Sequence, residues 1–121
     1  MTAKLFDAEL RLMRIVWEQE PMTSRRLVEL CSERLGWNKS TTYTVLRKLC
    51  ERGILRNESS TVTSVAKLED VQRYESNAVM ERSFDGSLPQ FITAFMSGRK
   101  LSREDADRLK ELIDTYICDG E

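Results

Sequence analysis

The run from Trp37 to Leu55 constrains this chain more than any other stretch. Read as a helix, it places Thr42, Val45, Leu46 and Leu49 at i, i+3, i+4 and i+7, a stripe that must face a core. Ser40, Tyr43, Thr44 and Arg47 repeat at the same spacing on the opposite side, flanked by Lys39 and Lys48. No acidic residue falls between Lys39 and Cys50. A helix anchored on one side, with small hydroxyl residues near its N-terminus and bases along its flanks, suits a DNA major groove. Gly53 supplies a left-handed residue to end it, and Ile54-Leu55 begins an extended return. Alone, the segment also fits an ordinary surface helix; its neighbours decide.

Upstream, a helix is expected from Asp7 to Glu20, with Asp7 as N-cap and Leu12, Ile15 and Val16 on the buried face. Met13 and Trp17 pair at i+4, and Pro21 ends the helix. Thr23 caps a second helix in which Leu27, Leu30, Cys31 and Leu35 recur at helical spacing, and Gly36 closes it. Asn38 is a good cap for the third. Two helices joined by a tight turn containing glycine, the second basic and amphipathic, make the helix-turn-helix pattern. From Ile54 to Val65, β-branched residues flank an Asn57-Glu58-Ser59-Ser60 turn, which predicts a hairpin. Three helices and a hairpin make a winged helix, so the expected fold is mainly α with a small β-hairpin wing. The chain then divides near Ala66–Asp70, into a winged-helix domain over 1–68 and a helical domain over 69–121.

The second part is helical again. Val71, Tyr74, Ala78 and Val79 open one amphipathic helix, and Phe84-Asp85-Gly86-Ser87 breaks it. Leu88, Phe91, Ile92, Phe95 and Met96 form a strongly apolar stripe. Ser102-Arg103-Glu104-Asp105 approximates a capping box for a last helix whose Ala106, Leu109, Ile113, Tyr116 and Ile117 face one way. Three short helices of about 50 residues bury too little apolar surface alone. A homodimer through Leu88, Phe91, Ile92, Phe95, Leu109, Ile113 and Tyr116 supplies the missing cover; folding back onto the winged helix is the alternative.

Charge separates the two parts. Residues 1–57 carry 11 Lys and Arg against 7 Asp and Glu, a net +4, whereas residues 58–121 carry 8 against 13, a net −5. That split fits a basic nucleic-acid reader joined to an acidic part held away from phosphate. With 121 residues the chain is one compact domain, or a small domain with an oligomerisation arm. It contains no histidine, and Cys31, Cys50 and Cys118 form no CxxC pair, which argues against a structural metal site. Cys31 and Cys50 lie beside core positions and read as small buried hydrophobes. No glycine-rich phosphate loop and no framed carboxylate pair is present, so neither an enzyme nor a cofactor is expected. No apolar run approaches the roughly 20 residues of a membrane span, so the expected location is cytoplasmic, without membrane insertion.

The order Asp7-Ala8-Glu9, Met13, Ile15, Trp17, Thr23, Trp37, Ser40-Thr41, Tyr43-Thr44-Val45-Leu46, Lys48-Leu49 and Gly53 resembles the penicillinase-repressor family. Phe84-Asp85-Gly86-Ser87-Leu88, Phe95 and Leu101-Ser102 before an acidic helix resemble that family's dimerisation arm. The resemblance covers about residues 5–117. It implies a homodimeric winged-helix repressor on inverted-repeat operator DNA with TACA/TGTA-like half-sites. In β-lactam-responsive members a membrane sensor-protease system triggers cleavage in the arm, and alignment places that bond at Ala94–Phe95. In copper-responsive members paired C-terminal cysteines do the sensing; Cys118 alone cannot reproduce them. The second wing strand, Thr61 to Val65, also lacks the aromatic residues usual in the family.

By the same alignment Ser40, Thr41, Tyr43 and Thr44 occupy base-approaching positions. Some members carry Lys or Arg where Ser40 and Tyr43 stand, so bidentate guanine reading is not available at those two. Lys39, Arg47, Lys48 and Arg52 are expected to hold phosphates, with Arg56 in the wing and Arg25 and Arg26 at the start of the second helix. The competing reading is a winged helix that docks a protein through its third helix instead of DNA.

Overall fold

The computed structural model describes residues 4–117. Helix α1 (Asp7–Gln19) starts one residue before expectation at its cap, because Phe6 and not Asp7 takes the extended N-cap geometry. The Glu9 carboxylate accepts the Phe6 backbone N–H at 3.0 Å, satisfying that donor from within the helix, while Asp7 sits in the first turn, where the helix dipole favours it. Helix α2 (Ser24–Leu35) and helix α3 (Lys39–Glu51) follow the expected caps. Thr23 Oγ1 accepts the Arg26 N–H at 3.0 Å, Asn38 Oδ1 accepts the Thr41 N–H at 2.8 Å, and Gly36 closes α2 in the left-handed region.

Their apolar stripes converge on one core. Leu12, Met13, Ile15 and Val16 from α1 meet Leu27, Leu30 and Cys31 from α2 and Leu46 and Leu49 from α3, with Ile54, Leu55, Val62 and Ala66 closing the far side. A surface link between α1 and α2 joins Arg34 to Glu18 at 3.1 Å; the Gln19 amide, then Arg34, hold the Glu18 carboxyl below its ordinary range.

The wing is a three-stranded antiparallel sheet in the order β1-β3-β2, formed by Met22–Thr23, Leu55–Glu58 and Thr61–Ser64 in chain order. The short β1, pairing Met22 with Val62 and Thr23 with Thr61, was not foreseen, since two residues carry no readable alternation. Where β1 gives out, at the cis Glu20–Pro21 peptide, the Glu20 carboxylate takes over the pairing and accepts the Ser64 N–H at 2.7 Å. Lys67 Nζ donates to the Ser64 carbonyl at 2.8 Å on the same side. The hairpin turn is tighter than the expected four residues. Asn57 pairs with Val62 and Glu58 with Thr61, leaving Ser59-Ser60 at the tip with φ of 51° and 63°. Two positive φ values define a type I′ turn, whose twist matches the strands. The Ser60 carbonyl then accepts the Ser24 N–H at 2.9 Å, so the turn also satisfies a first-turn donor of α2.

Helix α4 (Leu68–Phe84) is fixed at its start. The Trp17 indole N–H donates to the Ala66 carbonyl at 3.0 Å, Lys67 N–H donates to Asp70 Oδ2 at 2.9 Å, and Val71 is buried. The chain forms two compact units that divide within α4, between Val79 and Met80.

In the second unit, helix α5 (Leu88–Met96) is capped by Ser87, and helix α6 (Arg103–Thr115) by Ser102, whose Oγ accepts the Asp105 N–H at 3.0 Å. Phe91 lies edge-on to Phe84 at 5.3 Å and stacked on Phe95 at 5.9 Å. Neither α5 nor α6 buries a single residue. Leu88, Ile92, Phe95, Leu109 and Ile113 are all exposed, and so is Leu112, which the sequence reading left out of the stripe. Tyr116 stands just past the last helical residue, as C-cap, and Ile117 beyond it. Cys118 lies outside the described residues. Among the described residues no helix is long and apolar enough to cross a membrane.

Candidate nucleic-acid interface

Helix α3 is held by its back. Thr42, Leu46 and Leu49 are buried and Val45 is half-buried, so the rotation of the helix about its axis is fixed by packing. The buried Thr42 hydroxyl is satisfied by donating to the Asn38 carbonyl at 3.3 Å. Cys31 packs beside it; burial pushes that thiol up, and its hydrogen bond with Thr42 offsets the shift only in part. Burial also raises Cys50. Both thiols therefore stay protonated at neutral pH and act as small apolar side chains.

That rotation turns Ser40, Thr41, Thr44, Arg47 and Lys48 out to solvent together, with Lys39 beside them. Their hydroxyls are ordered by a local network. Asn38 Oδ1 accepts the Ser40 hydroxyl at 3.1 Å as well as the Thr41 N–H, and the Thr44 hydroxyl donates to the Ser40 carbonyl at 2.8 Å. Tyr43 is turned partly inward. Its ring is half-buried against the core, with Lys39 Nζ 5.9 Å from the ring centroid. It borders the outer face and does not stand at its centre.

The cations named from the sequence divide into two groups. Lys39, Arg47, Lys48 and Arg25 enter no salt bridge among the described residues, and all four are exposed. Arg26 pairs with Glu29 at 3.0 Å and Arg56 with Glu58 at 3.4 Å, both on the surface, where such pairs are weak. Arg52 is placed differently from expectation. Its guanidinium bonds Glu9 at 2.7 Å and also the Lys4 carbonyl, tying the end of α3 to the start of α1. Glu9 is only 7% exposed, and leaving its charge unpaired would be costly, so Arg52 is held inward. A cleft of about 540 Å³ opens beside this pair, between Phe6 and Ala8 on one side and Val45 and Lys48 on the other. Glu9, Glu51 and Arg52 also line it, and among the described residues no cluster of His, Cys, Asp or Glu could hold a metal ion.

Comparison with known proteins agrees with this geometry. Residues 5–115 match the family model described as penicillinase repressor. The penicillinase repressor of Bacillus licheniformis is 21% identical over 117 residues, covering 93% of this chain and 91% of that protein. An uncharacterised 16.5 kDa protein from the ptsI 3′ region of Latilactobacillus sakei is 25% identical over 120 residues, covering 93% of this chain and 80% of its own length. Among solved structures, Staphylococcus aureus MarR in complex with salicylate and kanamycin aligns with 92% of this chain and 70% of its own, at 14% identity and a TM-score of 0.46. With the family model spanning nearly the whole sequence and an outward-facing basic helix on a winged-helix frame, the chain belongs to the penicillinase repressor family and is a DNA-binding transcriptional regulator.

Proposed function

We propose that the protein is a homodimeric repressor that places one α3 in each of two major grooves of an inverted-repeat operator. The observation that carries this reading is the outer face of α3, where exposed hydroxyls and cations share one surface and no acid intervenes from Lys39 to Cys50. In this reading Ser40, Thr41 and Thr44 approach base edges, with Tyr43 at their border. Lys39, Arg47 and Lys48 neutralise phosphates, joined by Arg25 and, after exchange of their surface partners, by Arg26 and Arg56. Arg52 supports the helix from behind.

One winged helix offers a small interface, so affinity and specificity come from linking two of them. The proposed link is a second copy bound through α5 and α6. Leu88, Ile92, Phe95, Leu109, Ile113 and Tyr116 are exposed and Phe91 is half-buried among them, and a self-complementary pairing would bury this apolar surface. Residues 1–68 then serve as reader and 69–121 as arm, in the cytoplasm, and no catalysis by the chain itself is required.

Release is proposed to follow proteolysis at Ala94–Phe95 by a membrane sensor-protease system. Both residues lie in the last turn of α5, which is followed by Ser97 and the left-handed Gly98, and helix ends open more readily than helix centres. A cut there removes Phe95 and all of α6 from the arm, and a dimer that comes apart loses its second half-site.

Salt dependence of DNA binding tests the reading. Three phosphate contacts per subunit, from Lys39, Arg47 and Lys48, give six in the dimer and a log–log slope of about −5. A flat response to salt would instead favour docking of a protein on α3.

A further inference from the structure

We propose that Asn38 is a specificity-determining positioning residue: it fixes the Ser40 hydroxyl as an outward-facing acceptor, and this, with the Thr44 hydroxyl set the same way, makes α3 select adenine or cytosine at the positions these side chains meet. The inference rests on the reading of α3 as the base-contacting helix.

The polarity of each hydroxyl follows from its partner. Asn38 receives the Thr41 backbone N–H at 2.8 Å, so the amide atom at that place is the oxygen; an NH₂ group there would set donor against donor. That oxygen has no hydrogen to give, and Ser40 Oγ stands 3.1 Å from it, so Ser40 is the donor. Thr44 Oγ1 stands 2.8 Å from the Ser40 carbonyl, which also only accepts, so Thr44 is a donor too. A hydroxyl carries one hydrogen and two lone pairs. With both hydrogens directed into the helix end, Ser40 and Thr44 turn lone pairs toward solvent. Thr41 differs, because among the described residues its exposed hydroxyl finds no acceptor and keeps both roles.

The major groove offers those lone pairs two kinds of edge. Adenine N6 and cytosine N4 present amine hydrogens, whereas guanine O6 and N7 and thymine O4 present only acceptors. Reading guanine or thymine through Ser40 or Thr44 would require giving up an internal hydrogen bond. Such a bond is worth about fivefold in equilibrium terms, which sets the scale of the preference. Asn38 touches no base in this scheme and acts through Ser40.

The test uses the full-length protein and selection from random duplex DNA. Repeating the selection with Ser40→Ala and Thr44→Ala identifies the base positions whose preference each side chain controls. Every base pair holds one adenine or cytosine, so the contacted strand is identified by placing base analogues without the exocyclic amine in one strand at a time. Removing the adenine N6 or cytosine N4 amine on one strand at each position should weaken binding by about fivefold or more. Asn38→Gly removes the amide, yet glycine is itself a tolerated N-cap, and a thermal melt verifies the fold. This variant should lose the preference at the Ser40 position and keep it at the Thr44 position. Asn38→Asp retains an acceptor oxygen and should keep both preferences while binding all DNA more weakly. Undiminished binding to DNA that lacks these amines at the same positions, whichever strand carries the analogue, would overturn the proposal. So would an Asn38→Gly variant that binds every sequence weaker by one common factor, or an Asn38→Asp variant that loses the Ser40 preference. If selection returns no preferred sequence at all, the base-contacting role of α3 fails, and this inference fails with it.

Discussion

At the scale of single residues, the two charges at the C-terminal end of α3 stand in different surroundings. Lys48 is exposed and enters no salt bridge among the described residues, so Lys48→Ala should leave stability nearly unchanged and flatten the salt slope of DNA binding by about two units in the dimer. Arg52 faces Glu9, so Arg52→Ala should lower stability by about 1–3 kcal/mol, because a buried carboxylate loses its charged partner. The salt slope should not change with it. Denaturant melts and binding titrations over a salt series separate the two; an Arg52→Ala protein with normal stability and a flatter slope would return Arg52 to the phosphate group. Local sequence could not distinguish these cations. Lys48 and Arg52 lie one helical turn apart, and what sets them apart is Glu9, 43 positions away from Arg52. The caps Thr23 and Asn38 were legible because capping is a contact over three residues. Phe6 was not, because its capping partner Glu9 reaches back from inside the helix.

At the scale of elements, α3 was legible almost completely, since a fourfold repeat of apolar positions opposite a polar stripe leaves little choice of face. The wing was legible only as a hairpin. The added strand β1 has two residues, and Ser59-Ser60 is not a turn pair that announces two left-handed residues. That unusual turn carries a prediction. Ser59→Asn with Ser60→Gly suits the observed φ values better and should raise stability by about 0.5–2 kcal/mol without altering DNA preference. A loss of stability, read in a thermal melt, would mean that the serine side chains themselves hold the tip. For the second unit, the helices and their breaks were legible, and Leu88, Ile92, Phe95, Leu109 and Ile113 on α5 and α6 are exposed. Leu112 went unnoticed because Leu109 and Ile113 already completed an i, i+4 pair. Tyr116 falls past the helix end, where periodicity stops assigning a face.

For the whole molecule, among the described residues no buried residue lies beyond Val71. A chain ending at Ala94 should therefore keep its winged helix while losing Phe95 and the whole of α6. It should sediment as a monomer, melt with the same reader transition, and hold an operator far more weakly than the full chain, because two linked half-sites become one. A truncated chain that still dimerises would remove the proposed basis of the proteolytic switch. Phe91→Asp should have a similar effect without truncation, since it puts a charge among the rings of Phe84 and Phe95 and on the stripe proposed to pair; light scattering at tens of micromolar reports it. Composition concealed the charge split, because a net charge of −1 averages +4 over residues 1–57 and −5 over residues 58–121.

The most direct measurement is the stoichiometry and footprint of the full-length protein on the DNA it selects. Two protomers should bind one inverted repeat, protecting half-sites about one helical turn apart centre to centre, with Thr44→Ala weakening both halves alike. One protomer on a single asymmetric site, or protection independent of sequence, would contradict the dimeric reader.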